Sequence, residues 1–154
     1  MHIIGNMWFL HVFGDNVEAS LGKPRFLLLY IGSGLLAAVA QVIIDPLSQV
    51  PVVGASGAIA GILAGYVRLF PRARVVTLVP IFIFLQFIEL PAFFFIFIWF
   101  GYQLLMGLTS LGQIGQNMGG VAFFAHIGGF VAGFIGVRML ARKPNPRAGF
   151  RLPG

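Results

Sequence analysis

Long apolar segments alternate with short polar ones along the whole chain, and this pattern predicts membrane helices. Crossing a bilayer takes about 20 predominantly apolar residues, with a range of about 17–25. Five segments come near this requirement, although the first and the third are short. We place the predicted spans at residues 3–17, 26–44, 56–70, 91–108 and 120–139. The predicted fold class is therefore all-α, a polytopic bundle of transmembrane helices.

A sixth apolar stretch, residues 75–88, lies between the third and fourth spans and has Pro80 near its middle. It is too short to cross a bilayer easily. If it did cross, the basic residues from Arg138 onward would lie on the opposite side from Lys23. We therefore interpret it as interfacial or re-entrant.

The basic residues then all fall on one side of the membrane. We place Lys23 on the inner side and let the chain cross the membrane once at each of the five spans. Every Lys and Arg of the chain then lies inside, as the positive-inside rule requires. These residues are Lys23, Arg25, Arg68, Arg72, Arg74, Arg138, Arg142, Lys143, Arg147 and Arg151. We expect a multi-pass protein of the cell membrane with a cytoplasmic C-terminus.

Composition supports this class and excludes others. Hydrophobic residues make up 58% of the 154 residues, charged residues only 9%, and the mean hydropathy is +0.95. A soluble domain carries about 25% charged residues, so soluble enzymes and nucleic-acid modules are excluded, despite a net charge of +6. The chain has no cysteine, which excludes disulfides and thiolate chemistry.

Two polar residues, Ser56 and His126, are predicted to lie at similar depth in the membrane. His126 comes six residues into the last predicted span, about 9 Å below its outer end. Ser56 opens a span of about 22 Å, in a core of about 30 Å, which puts it about 8 Å below the outer surface. Polar groups at such depth are functional hypotheses by default. A Ser and a His at one depth predict a nucleophile and its base.

Small residues spaced by four support an approach of these two helices. One stripe is Gly57, Gly61 and Gly65, and the other is Ala125, Gly129 and Gly133. Such stripes let two helix backbones come close together, which could bring Ser56 within reach of His126. The alternative interpretation is a set of packing glycines with an incidental serine.

Further polar side chains of interest lie in the first predicted span or just before it. His2 and Asn6 are four residues apart, share a helical face near the outer end, and could donate hydrogen bonds to an oxyanion. Alternatively, they are polar residues at a helix end wetted by interface water. His11 lies deeper, and we interpret it as packed or hydrogen-bonded between helices.

The sequence lacks the residues that other membrane chemistries need. The chain has no HExxH motif for zinc, and no pair of aspartates is predicted at mid-membrane depth. A transporter or channel would be expected to have inverted repeats and a polar path at the membrane midplane, and the sequence shows neither. No metal, nucleotide or redox cofactor is implied.

Several motifs together resemble the rhomboid family of intramembrane serine proteases, over about residues 2–140. The motif His2-x-x-x-Asn6 resembles that family's second core helix, and Gly54-Ala55-Ser56-Gly57 resembles its GxSG motif. The segment Ala125-His126-Ile127-Gly128-Gly129, continuing to Gly133, resembles the AHxxGxxxG motif of its last core helix.

The resemblance implies roles for these residues. Ser56 would be the nucleophile and His126 the general base and acid, as a dyad without a third member. His2, Asn6 and the backbone N–H of Ser56 would bind the oxyanion, and Gly54 would permit a tight backbone approach. Some members have a Tyr one turn after the nucleophile, whereas this chain has Ala60.

The same resemblance sets the expected domains. About five of six core helices are present, so residues 1–140 would be a rhomboid-like domain lacking its first helix, and residues 141–154 a basic cytoplasmic tail. We expect the sequence to be truncated at its N-terminus, and the isolated chain to insert and cleave poorly.

The predicted function is that of a serine endopeptidase that cleaves transmembrane helices of other membrane proteins, at a site open to the extracytoplasmic side. Its partners would be transmembrane protein substrates and the lipid bilayer, with no nucleic acid. The alternative is a catalytically inactive rhomboid-like protein that binds membrane helices, or an inactive fragment. The presence of both Ser56 and His126 favours the enzyme.

Overall fold

The computed structural model of the chain describes residues 2–48, 54–81, 84–113 and 122–141. A first helical stretch is divided into three by a change of helix type, and it is followed by four further α-helices and one β-hairpin. The elements are α1 (His2–Phe9), a π-helical turn (Leu10–Gly14), α2 (Asp15–Leu21), α3 (Lys23–Ile44), α4 (Ser56–Leu69), β1 (Arg74–Ile81), β2 (Phe84–Pro91), α5 (Ala92–Ser110), a 3₁₀ turn (Leu111–Gln113) and α6 (Phe123–Leu140). The predicted all-α class of the bundle is confirmed, with the hairpin as an addition.

Three of the described helices, α3, α5 and α6, are long and apolar enough to cross a membrane. Their outer sides carry large exposed apolar side chains, such as Leu28 on α3 and Leu105 on α5. Exposure of three such apolar faces to water would be strongly unfavourable. The protein is therefore a multi-pass membrane protein.

Helix α4 is different, because it is short and lies at the centre of the bundle. Every residue from Gly57 to Val67 is buried. Its 14 residues extend about 21 Å at 1.5 Å per residue, which is less than the roughly 30 Å hydrocarbon core. One end of α4 can therefore lie below the membrane surface while protein surrounds its backbone, as polar backbone at that depth requires.

Glycines allow α3 and α6 to pack directly on α4. A Cβ atom added to Gly129 or Gly133 of α6 would collide with the backbone carbonyl oxygen of Gly57 or Gly61, respectively. From α3, Ala37 would meet a Cβ at Gly57 at 2.5 Å. The two stripes of small residues thus form the α4–α6 contact, and α3 closes on the same residues of α4.

Hydrogen bonds at both ends tie α3 to α6 in an antiparallel arrangement. Arg25 Nη1, in the first turn of α3, donates to the carbonyl oxygen of Leu140 at the end of α6, at 3.3 Å. At the opposite end, the backbone N–H of Ala125 donates to Gln41 Oε1, also at 3.3 Å. Each bond satisfies a backbone group that has no partner within its own helix.

The first predicted span proves longer than expected. Helical backbone continues from His2 to Leu21, and the π-helical turn lies in its middle. Single π-helical turns are found mostly as bulges within α-helices, frequently at functional sites. Phe13, within this turn, packs edge-on against Tyr66 of α4 with ring centroids 5.0 Å apart, so the bulge lies where the first stretch meets the central helix.

The interpretation of His11 as packed or bonded between helices is wrong. Its side chain is 76% exposed, and its Nδ1 lies 3.6 Å from the carboxylate of Asp15 on the next turn of the same helical stretch. Phe13 and Val17 occupy the buried face of this stretch instead, which turns His11 outward.

The apolar stretch between the third and fourth predicted spans forms an antiparallel hairpin of β1 and β2, with Arg74 opposite Pro91. No strand was predicted here, because apolar residues occur on both faces and hide the twofold period. One face carries exposed Val76, Leu78, Leu85 and Phe87. The other carries Val75, which packs against the core.

The remaining spans differ from the prediction only at their ends. Helix α5 begins at Ala92, after Pro91, and continues to Ser110. Helix α6 begins at Phe123 rather than at residue 120. Residues 120 and 121 lie outside the described residues.

Candidate active site

Ser56 is the first residue of α4 and is half-buried. The chain enters the helix through Gly54. Its φ is +133°, a backbone conformation that residues other than glycine rarely adopt. The first hydrogen bond of the helix runs from the Ile59 N–H to the Ala55 carbonyl at 3.0 Å. The N–H groups of Ser56, Gly57 and Ala58 therefore lack acceptors within the helix.

His126 lies in the first turn of α6 and is buried, with 8% of its surface exposed. Its Nε2 atom lies 2.8 Å from Ser56 Oγ, which is hydrogen-bonding distance. The two residues are 70 positions apart in sequence. This distance is within the range at which an imidazole can take a proton from a hydroxyl.

Backbone proximity explains how the two side chains meet. Helix α4 and helix α6 approach so closely at Gly57 and Gly129 that neither position has room for a larger side chain. Ser56 precedes one of these glycines by one residue, and His126 precedes the other by three. The glycine contact thus sets the distance between the two helix starts.

A second polar side chain, from α5, contacts the other face of the site. Gln103 is buried, with 5% of its surface exposed, and its Oε1 lies 2.7 Å from His126 Nδ1. Trp99, one turn earlier on α5, has its ring centroid 5.7 Å from that of His126, with the planes tilted by 40°. Ser56, His126 and Gln103 therefore form one hydrogen-bonded row across α4, α6 and α5.

Gln103 was not among the residues predicted from the sequence. Its signal was present, because a glutamine near the middle of a mostly apolar helix of 19 residues is a polar group at membrane depth. Gln41, whose side chain accepts from the Ala125 N–H, carried the same signal near the end of α3. Both glutamines contact α6 within its first turn, next to His126.

Asn6 is separate from this row. Asn6 is half-buried on α1, and within the described residues its side chain makes no hydrogen bond. His2 begins α1, but its side chain lies outside the described residues. The structure thus brings Ser56 and His126 together, and within the described residues no hydrogen bond joins Asn6 to either of them.

The remaining predicted site residues are packing positions. Gly61 faces Ser33 of α3 and the Gly129 carbonyl, and Gly65 faces Leu29 and Val137. Ala60, at the position where some rhomboids have Tyr, is completely buried. His126 is instead contacted by Trp99 and Gln103.

Comparison with known proteins gives consistent results. The sequence model of the Rhomboid domain family matches residues 1–143. The rhomboid-type protein YdcA of Bacillus subtilis is 42% identical over 65 residues, which cover 42% of this chain and 32% of YdcA. The rhomboid protease GluP of Bacillus subtilis is 32% identical over 143 residues, covering 91% of this chain and 26% of GluP.

A third relative is the presenilin-associated rhomboid-like protein A, mitochondrial, of Danio rerio. It is 29% identical over 84 residues, which cover 53% of this chain and 22% of the relative. The chain thus matches between 22% and 32% of the length of these relatives. No solved structure matches the chain significantly.

Proposed function

Because this chain belongs to the rhomboid family, we propose that it is an intramembrane serine endopeptidase in which Ser56 and His126 form the catalytic dyad. The observation that carries the proposal is the 2.8 Å separation of Ser56 Oγ and His126 Nε2. Similarity to the rhomboid protease GluP over 91% of the chain supports the same activity.

The dyad would act by nucleophilic catalysis. His126 Nε2 takes the hydroxyl proton as Ser56 Oγ attacks the carbonyl carbon of the scissile peptide bond. The tetrahedral intermediate collapses when the protonated Nε2 returns this proton to the leaving amine, and an acyl-enzyme remains. Water, deprotonated by the same nitrogen, then attacks the ester and releases Ser56 with its proton restored.

Negative charge on the substrate oxygen would develop beside the start of α4. The N–H groups in the first turn of that helix lack intrahelical acceptors, and the helix dipole is positive at this end. We propose the Ser56 N–H as one oxyanion donor, with Asn6 and His2 as further donors once substrate is bound. Donors are often poorly aligned before substrate binds, which is compatible with the present position of Asn6.

The substrates would be transmembrane helices of other membrane proteins. A peptide bond within a helix has its carbonyl hydrogen-bonded and hidden from attack, so substrates with a helix-breaking or small residue near the cleavage point are preferred. The basic ends of α3, α4 and α6 lie at the opposite end of the bundle from Ser56. By the positive-inside rule, the site opens to the extracytoplasmic side.

The test is Ser56-dependent chemistry in liposomes that contain the chain. A fluorophosphonate probe, which reacts with activated serines, should label the wild type and not Ser56→Ala or His126→Ala. Ser33→Ala is the matched control, because it removes a serine hydroxyl from the core of the same bundle, and it should be labelled like the wild type. A model transmembrane substrate should be cleaved by the same set of variants that the probe labels.

Two outcomes would contradict the proposal. Equal labelling of wild type and Ser56→Ala would remove Ser56 as the nucleophile. Absence of both labelling and cleavage in a correctly folded wild type would favour the inactive rhomboid-like protein that binds membrane helices. Binding of the model substrate without cleavage would identify that second function directly.

A further inference from the structure

Both ring nitrogens of His126 have polar neighbours, and the two neighbours are chemically different. On one side the hydroxyl of Ser56 lies 2.8 Å from Nε2, and a hydroxyl can donate or accept. On the other side the amide oxygen of Gln103 lies 2.7 Å from Nδ1, and an amide oxygen can only accept. The side facing Gln103 therefore determines where the proton of the neutral ring is.

We propose that Gln103 is a positioning residue that holds His126 in the Nδ1–H tautomer. In this tautomer Nδ1 donates to Gln103 Oε1, and the lone pair of Nε2 faces the Ser56 hydroxyl. Only a ring nitrogen with a free lone pair can take the proton of the nucleophile. This inference rests on the proposed function, because it assigns to Gln103 the orientation of the proposed base.

Burial makes this bond selective. Gln103 and His126 are 5% and 8% exposed, so water competes little for either partner, and a buried polar group without a hydrogen bond is strongly unfavourable. In the opposite tautomer, an unprotonated Nδ1 would face the amide oxygen, and two acceptors would oppose each other. The ring is therefore held in one protonation pattern before any substrate arrives.

Helix α5 also fixes the plane of the ring. Trp99 and Gln103 are four residues apart and share one face of α5, and both contact the imidazole. Together they take the place of the aromatic neighbour that Ala60 cannot supply.

A neutral amide suits this depth better than a carboxylate. An aspartate in the same place would be a charged group inside the membrane, which is expensive unless it is paired. Glutamine provides the acceptor without that charge. The weaker stabilisation of the imidazolium is the corresponding disadvantage, since a neutral acceptor bonds a cation less strongly than an ionised one.

The test replaces Gln103 by Met, which keeps the length and apolar packing of the side chain and removes the acceptor. We expect kcat for a model transmembrane substrate to fall by about 10- to 100-fold with KM little changed, because general base catalysis contributes about 10²–10⁴-fold and the base is retained but misoriented. Tyr102→Phe is the matched control, since Tyr102 is the neighbouring residue on α5 and is 54% exposed. It should keep the wild-type kcat.

A second measurement reports the tautomer without requiring activity. In the ¹⁵N-histidine-labelled full chain, the nitrogen shifts of His126, identified by their loss in His126→Ala, should show Nδ1–H in the wild type and in Tyr102→Phe. Gln103→Met should shift the ring toward Nε2–H or a mixture. Gln103→Glu, which restores an acceptor at the same length, should recover the Nδ1–H form and part of kcat.

The outcomes separate the two proposals. Retention of both kcat and the Nδ1–H tautomer in Gln103→Met overturns the positioning role, and so does a loss of kcat without a change of tautomer. If Gln103→Met shifts the tautomer while the wild type shows no Ser56-dependent cleavage, the positioning role is supported and the proposed function is contradicted. Should Gln103→Glu fail to fold, the Gln103→Met spectra alone decide.

Discussion

At the scale of single residues, the informative groups are the few polar atoms in an apolar interior, because each needs a partner. Ser56, His126 and Gln103 supply partners to one another. Ser33 is more deeply buried than Ser56, yet its Oγ has no hydrogen-bond partner within the described residues; it is packed against Gly61. A serine in this bundle is therefore not functional by burial alone, and the neighbouring imidazole distinguishes Ser56.

Asn6 provides a residue-scale prediction for the oxyanion site. Asn6→Ala should lower the cleavage rate by up to about 10²–10³-fold, since that is the loss for removing one oxyanion donor. The Ser56–His126 pair is untouched, so binding of substrate should change little. Asn16→Ala is the control, because within the described residues the Asn16 amide donates only to the Val12 carbonyl of the same helical stretch, at an exposed position.

The measurement is steady-state cleavage of a transmembrane substrate in liposomes, with kcat and KM separated. An Asn6→Ala protein with the kcat of the wild type would exclude Asn6 from the oxyanion site. The first-turn N–H groups of α4 and the side chain of His2 would then be the remaining proposed donors.

Some of the site could be predicted from the sequence, and the missing part has a physical reason. The depths of Ser56 and His126 follow from helix lengths, and their approach follows from the glycine spacing. To predict that Gln103 contacts His126, one would need to know how α5 is rotated about its own axis. The apolar residues of α5 surround the helix on all sides, so no amphipathic stripe reveals which face contacts α6.

At the scale of elements, close contact between glycine backbones determines the bundle. Gly129→Ala should separate α4 from α6, because the new Cβ would collide with the Gly57 carbonyl oxygen and backbone cannot move aside easily. Overpacking of this kind destabilises by about 1–3 kcal/mol. The shift should also reduce probe labelling of Ser56 by lengthening its distance from His126.

The matched control is Gly32→Ala on α3, where nothing lies within 4 Å of the added Cβ. Alanine is favoured over glycine in a helix by up to about 1 kcal/mol, so this variant should unfold at the same or a slightly higher denaturant concentration. Unfolding in mixed micelles measures both variants. A Gly129→Ala protein as stable and as reactive as Gly32→Ala would show that the contact is not tight in the membrane.

The hairpin is the element that the sequence revealed least. Two strands of eight residues each are apolar on both faces near the turn, so neither a helical nor an alternating period stands out. The prediction that this stretch is interfacial or re-entrant concerns its place in the membrane and stays a prediction. Its exposed face, which includes Phe87, and the nearby Arg72 and Arg74 are suited to an acyl and headgroup boundary.

Tryptophan fluorescence can test this placement. With Trp8 and Trp99 replaced by Phe, a Phe87→Trp indole should be strongly quenched by lipids brominated on their acyl chains. Gln86→Trp, the neighbouring residue on the opposite face of β2, is the control and should be quenched less. Equal quenching at both positions, or none at Phe87→Trp, would contradict an interfacial hairpin with its exposed face toward lipid.

At the scale of the whole molecule, the basic residues of three helices lie at one end of the bundle. The start of α3 and the ends of α4 and α6 carry Lys23, Arg25, Arg68 and Arg138, and the Arg25–Leu140 bond places two of these ends together. The Ser56–His126 pair lies toward the other ends of α4 and α6. From the positive-inside rule we predict that this basic end faces the cytoplasm.

Single cysteines test this orientation well, because the natural chain has none. Arg72→Cys, in the loop after α4, and Ala148→Cys, in the C-terminal tail, should react with a membrane-impermeant maleimide only after cells are permeabilised. Gly112→Cys, past the end of α5, should react in intact cells. The reason is that α5 must cross once between the basic loop and Gly112. Labelling of Ala148→Cys from outside, with Arg72→Cys still protected, would require an additional crossing between the two positions, and the hairpin segment would then be the part of the chain to re-examine as a span.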